Sequence, residues 1–219
     1  MAIKKKTMRS VKFGVIADTH VYDRETKLPL ALARALKGVD FIVHAGDIST
    51  PAVIRELAKI APVKAVLGNK ADDLRFFKEK LPEKLIFNIG EIRIAVTHGA
   101  TPSERSLESF LGRRPLKGTP AQRLAYKVKS GLKTFGVKRV SNKRIIKRLL
   151  KEFKNQADCV IFGHSHIPFA DYIDGVFFFN PGDAQYARKK TVHWGILRIR
   201  GKKIEYELIS FDLSENEKR

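Results

Sequence analysis

Cysteine is almost missing from this chain: one thiol, Cys159, stands among 219 residues, inside an apolar run. With no second thiol to pair with, a disulfide framework is excluded and a reducing, cytoplasmic setting is expected. Long hydrophobic runs are missing too. The basic stretch MAIKKKTMRSVKFGVIAD breaks its apolar part at Asp18, short of signal-peptide length. Nowhere do the roughly 20 consecutive apolar residues of a spanning helix occur, so no membrane role is expected. Acidic residues are the third shortage, 23 against 43 Lys and Arg, for a formal charge of +20. A charged surface of the thermophile kind is one account of that balance, but self-repulsion of this size points first to a polyanionic partner. No fixed-period repeat or low-complexity linker divides the chain. With 219 residues, 43% of them hydrophobic, it can bury one substantial core, and a single domain over residues 1–219 is expected.

What is present is an alternation of short apolar runs with helical patterns. KFGVIAD (12–18), FIVHAGD (41–47) and VKAVLGN (63–69) read as buried strands. PLALARALKG (29–38), TPAVIRELAKI (50–60) and DDLRFFKEKL (72–81) read as helices, the second opening on a Thr cap with Pro in its first turn. KLIFNIG and EIRIAVTHG are strand-like and turn near Gly90, DCVIFGH is a further strand, and FADYIDGVFFFNPG turns at Asp174-Gly175. TVHWGILRIRGKKIEYELISF is a hairpin reversing at Gly201, and residues 212–219 read as a solvated tail. Alternating strands and helices imply parallel pairing with covered faces, and the β-rich C-terminal half makes the sum a two-sheet α/β sandwich.

Chemistry-bearing residues collect at the strand ends. The first strand runs into Asp18-Thr19-His20, the second into Gly46-Asp47, the third into Gly68-Asn69, a later one into Thr97-His98-Gly99, and another into Gly163-His164-Ser165-His166. In open α/β sheets, ligands bind beyond the carboxyl ends of strands, where side chains from separate strands converge. Four of the six histidines lie in these clusters, beside the carboxylates and amide that a hard or borderline cation takes as oxygen ligands. Each cluster alone is a weak signal; all five, each after an apolar run, are a strong one. His44 and His193 lie within strands and read as packing or structural residues.

The order D-x-H, G-D, G-N, H-G, G-H-x-H resembles the calcineurin-like metallophosphoesterase superfamily, in particular its compact prokaryotic phosphodiesterase branch and the related retromer-subunit fold. The resemblance covers residues 11–100 and 142–211 and extends to Asn180-Pro181-Gly182. It implies an αββα sandwich. It also implies one cation on Asp18, His20 and His166, a second on Asn69, His98 and His164, and Asp47 bridging both. Two such cations about 3.5–4 Å apart hold a water between them, lower its pKa toward roughly 7 and clamp both oxygens of an in-line displacement. Asp47 suits the bridging role because a carboxylate has two oxygens in fixed opposition. The mixed N and O donors suit Mn²⁺, with Zn²⁺, Fe²⁺ or Ni²⁺ as alternatives, better than Ca²⁺. Asp47, Asn69, Lys70 and His98 are the expected catalytic residues.

The sequence departs from that pattern in three places. Lys70 follows Asn69 where relatives carry His or Cys. It is there to steady a phosphate oxygen, to donate a proton if burial lowers its pKa, or simply as a solvated lysine. Ala71 precedes Asp72 and Asp73 where the family carboxylate usually comes directly, and Ala100 replaces a second His after His98-Gly99. The largest departure is length: 65 residues separate His98 from His164. KRIIKRLLKEF (143–153) reads as the connecting helix, which leaves residues 101–141 as a basic helical insertion. Residues 101–154 hold sixteen Lys or Arg and three Glu, a local charge of +13. Leu124, Val128, Leu132 and Phe135 recur at helical spacing, while Arg123, Lys127, Lys129 and Lys133 fall elsewhere around the axis. With Lys143, Arg144 and Lys147 they form a candidate surface for RNA or DNA phosphates, a solvated basic lid being the alternative. The reading that follows is a two-metal phosphodiesterase acting on nucleotide or nucleic-acid phosphodiesters. Its alternatives are a non-catalytic scaffold on the same fold and a small-molecule phosphomonoesterase.

Overall fold

The computed structural model describes residues 9–21, 27–77, 79–104, 140–187 and 189–214. Strands β1 (Val11–Ile16), β2 (Phe41–His44) and β3 (Val63–Ala65) alternate with helices α1 (Leu30–Ala35), α2 (Pro51–Ala58) and α3 (Ala71–Phe77). There follow β4 (Lys84–Ile89), β5 (Ile92–Thr97), α4 (Asn142–Phe153), β6 (Cys159–Ile161), β7 (Phe169–Ile173), β8 (Val176–Asn180), β9 (Thr191–Arg200) and β10 (Lys203–Asp212). They make two five-stranded sheets, ordered β10-β9-β1-β2-β3 and β4-β5-β6-β8-β7. The central pairs β1–β2, β2–β3, β5–β6 and β6–β8 are parallel, and hairpin strands pair antiparallel at the margins.

Period-two burial explains the layers. One face of each sheet turns inward, so that Phe13, Val15 and Val43 meet Ile94, Ile161, Phe177 and Phe179 in a core between the sheets. Beyond the first sheet, Leu32, Leu36, Val53 and Leu57 of the helical segments pack on Ile16, Ile42 and Trp194. Beyond the second, Ile145, Ile146, Leu149 and Phe153 of α4 cover Val160, Phe162 and Phe178. The result is the αββα sandwich expected from the pattern.

Helix ends differ from the sequence reading where local chemistry intervenes. α2 begins as expected, its Thr50 side chain accepting from the Ala52 amide. α3 ends at Phe77 rather than 81. The amides of Lys80 and Leu81 turn back onto the Phe77 carbonyl, and Leu81 precedes Pro82, which disfavours helical backbone. β10 pairs as far as Asp212 opposite Thr191, and Leu213 packs against the outer core, two residues into the stretch read as tail. Of the insertion expected at 101–141, residues 105–139 lie outside the described residues. No helix of the described residues is long and apolar enough to cross a membrane.

Candidate metal centre

The loops following β1, β2, β3, β5 and β6 meet at one end of the sandwich and are laced together by backbone. The Asp18 amide donates to the Gly46 carbonyl at 3.0 Å, His20 to Asp47 at 3.1 Å, and Gly163 to His98 at 3.2 Å. The His164 amide donates to Asp18 Oδ2 at 2.9 Å, tying the second sheet to the first. These approaches explain two of the motif glycines. A Cβ on Gly68 would lie 2.1 Å from Asp47 Oδ1, and one on Gly163 would lie 2.7 Å from Asp18 Oδ2. Either side chain would force the loops apart.

The side chains converge at ligand-like spacing. His166 Nε2 and His20 Nε2 lie 3.3 and 3.6 Å from Asp18 Oδ1, and His20 Nε2 is also 3.6 Å from Asp47 Oδ2. His98 Nε2 is 3.4 Å from Asp47 Oδ2 and 2.9 Å from Asn69 Oδ1. Two donors each about 2.1 Å from one cation stand about 3.0–3.5 Å apart at angles between right and tetrahedral, and the separations here run from 2.9 to 3.6 Å. Asp18, His20 and His166 form one group able to hold an ion; Asp18, Asp47 and His98 form another. His164 sets its ring edge-on to His98, centroids 5.0 Å apart. Asp18 Oδ1 and His164 Nε2 are buried without a hydrogen-bond partner, as atoms reserved for a cation would be. The donor set and these orphaned atoms fit a pair of divalent cations.

Asp47 adds one detail to the sequence reading. Its Oδ1 accepts from the Asn69 and Lys70 amides at 2.8 and 3.0 Å, and only Oδ2 turns toward His20 and His98. The two oxygens are thus not placed alike: Oδ1 meets backbone amides, and Oδ2 alone lies toward the imidazoles. A single oxygen lies between the two groups.

Neighbours fix the rings. His98 Nδ1 faces the Ala45 carbonyl at 2.8 Å, and His166 Nδ1 faces Asp183 Oδ2 at 3.0 Å, which directs each Nε2 into the cluster. Burial alone would raise the Asp18 and Asp47 carboxyls, but the surrounding imidazoles hold both well below the ordinary range. Burial would likewise lower the rings, yet Asp47 and Asp18 push His98 up to about 9, and Asp18 and Asp183 push His166 up to about 9. His44 behaves differently. Burial takes it down to about 3, and its Nε2 lies 3.2 Å from Thr19 Oγ1, so it is the neutral packing residue expected. His193 faces Asp183 at 3.3 Å.

Several residues here were not read as part of the site. Asp183 touches His166, His193 and Lys189. Asp73, the displaced carboxylate, is fully buried and accepts from the Ser49 and Gly68 amides at 2.6 and 3.0 Å, holding two of the loops together. Burial and the charge of Asp47 raise it to about 6. Asn180 donates to the Gly163 carbonyl and to Ser165, bracing the loop of His164 and His166. The signal available was the Asn180-Pro181-Gly182-Asp183 turn, whose polar residues follow a fully apolar strand. Lys70 is half-buried next to Asn69. Lys143, Arg144 and Lys147 are exposed on α4, whereas Arg123, Lys127, Lys129 and Lys133 lie outside the described residues.

The chain belongs to the calcineurin-like phosphoesterase superfamily, whose domain model matches residues 11–202. Membership makes its class a metal-dependent phosphoester hydrolase. A probable metallophosphoesterase of Methanothermobacter thermautotrophicus is 30% identical over 196 residues, 90% of either chain. Among solved structures, zinc-complexed Vps29 of Entamoeba histolytica superposes with a TM-score of 0.57 at 17% identity, over 93% of this chain and 99% of that one. A structure described as a novel archaeal phosphodiesterase gives 0.53 at 20% identity, over 92% and 100%.

Proposed function

We propose that the chain is a two-metal phosphodiesterase whose substrates are nucleotide or nucleic-acid phosphodiesters, working in the cytoplasm with Mn²⁺ as the preferred cation. The observation carrying this reading is the backbone. Among the described residues, seven other than glycine have positive φ, and five of them are Asp18, His20, Asp47, His164 and His166, with φ between 46° and 71°. Each such residue costs on the order of 1 kcal/mol, so the five together rival the net stability of a domain. Strain concentrated on ligand-type residues supports a centre held for chemistry; a scaffold gains nothing from it.

Two divalent cations would supply Lewis acidity and an activated water. The chain's own residues do the rest. Asp18, His20 and His166 would hold one position, Asn69, His98 and His164 the other, and Asp47 would serve both. Lys70 is placed directly after a ligand, where it neutralises a phosphate oxygen or gives a proton to the leaving group. Lys143, Arg144 and Lys147 offer charges for a polynucleotide backbone, joined by Arg123, Lys127, Lys129 and Lys133 of the insertion.

Turnover of model esters, cyclic nucleotides, single strands and structured RNA with Mn²⁺, by the wild-type chain and Lys70→Ala, tests this reading. Diesters are expected to outrun monoesters. Lys70→Ala is expected to slow alkyl esters more than p-nitrophenyl esters, whose leaving group hardly needs a proton. Monoester preference throughout the panel would replace the phosphodiesterase reading.

A further inference from the structure

Residues 101–104 open the segment in which this chain departs most from compact relatives, and they reach back into the centre. Thr101 and Glu104 form a reciprocal capping box. The Glu104 amide meets Thr101 Oγ1 at 3.2 Å, while the Thr101 amide and hydroxyl donate to Glu104 Oε2 at 2.6 and 2.9 Å. That geometry aims the carboxylate. Oε2 comes to 3.5 Å from His164 Nε2, the buried ring nitrogen with no hydrogen-bond partner. The separation matches those between His20 and Asp18, 3.6 Å, and between His98 and Asp47, 3.4 Å. A cation about 2.1 Å from both atoms would subtend a near-tetrahedral angle between them.

We propose that Glu104 is a further ligand of the second cation, beside Asn69, His98 and His164. The assignment rests on the two-metal reading and deepens it. Charge supports it as well as distance. The first position has Asp18 and a share of Asp47, whereas Asn69, His98 and His164 are all neutral donors when they ligate. The carboxylates near the second position, Asp47 and, at 4.0 Å from His98 Nε2, Asp18, are both shared with the first position, and Glu104 makes the two positions comparable.

The full chain, stripped with chelator and titrated with Mn²⁺ alone, provides the test through calorimetry and metal content after desalting. The wild type is expected to hold two equivalents. Glu104→Gln should bind the first as before and the second at least about 10-fold more weakly. Thr101→Val, which keeps the carboxylate and loosens its aim, should weaken the second equivalent less. Two equivalents at wild-type affinity in Glu104→Gln would overturn the assignment and leave the two-metal reading standing. Equal weakening of both equivalents would also overturn it, making Glu104 a residue that supports the loop. A wild-type chain that holds one equivalent would sink the two-metal reading and the assignment together.

Discussion

The two halves of the centre are built differently. Around Asp18, His20 and His166 the anchors are charged. Asp18 is wholly buried between two imidazoles, and behind His166 stand Asp183 and, in contact with it, Lys189. Around Asn69 and His98 the anchors are neutral: a backbone carbonyl orients the ring and an amide oxygen faces its Nε2. Access differs too, since the His98 side chain is fully buried while that of His166 is 26% exposed. One half therefore adds a carboxylate pair of its own, Asp18 and Asp183, to the shared Asp47, while the other adds rigid neutral donors to it.

Breaking the element common to both halves should have the largest effect. Asp47→Asn retains a carbonyl oxygen for the Asn69 and Lys70 amides but replaces the one oxygen that faces both groups. At least about a 100-fold loss of turnover is expected, with metal content falling and the far-UV spectrum unchanged. Normal turnover with two bound ions in this variant would remove Asp47 from the centre.

The next test separates the halves. Asp183→Asn should leave the position around His98 intact while loosening the His166 ring, weakening one cation by about 10–100-fold as measured calorimetrically. A change in both affinities would mean that the charged and neutral halves are not independent.

Acidity should move metal-free stability and cation affinity in opposite directions. His98 and His166 are raised from 6.5 to about 9, so their contribution to stability is full below 6.5 and is lost as pH rises through about 9. Asp18 and Asp47 are depressed from 3.8, so theirs is present above that value and is lost as pH falls below it. The chelated protein should accordingly melt highest between these limits. Cation affinity should climb with pH until about 9, with imidazolium protons released on binding. Calorimetry in buffers of different ionisation heat counts those protons, and affinity independent of pH would contradict the ring assignments.

The smallest effect is expected where neither half is touched. Lys143, Arg144 and Lys147 changed together to Gln should raise KM for polymers only, and should flatten the log–log salt dependence of binding by roughly 0.7–0.9 for each phosphate no longer neutralised. Equal losses on polymers and small diesters would place α4 inside the catalytic pocket.

The seven candidate positions were legible as a set because each follows an apolar run closely, so strand and candidate are read together. Their partners were not. Asp183 serves His166 from 17 residues away, Asp73 serves Ser49 from 24, and Glu104 meets His164 from the far side of a long insertion. No local period links such pairs; only the folded loops do. The place of Asp47 among the converging side chains was legible and its geometry was not, because a residue letter does not show which oxygen the backbone amides will take. The end of α3 was obscured in the same way, by a turn onto Phe77 ahead of Pro82.

The left-handed residues of the centre also set the direction in which this protein would change if its duty lapsed. At Asp18, His20, Asp47, His164 and His166, glycine would relax the backbone. Sequence drift without catalytic selection would thus run downhill in free energy at the very positions that bind cations. Heat-tolerant clones picked without an activity screen should include losses at these sites.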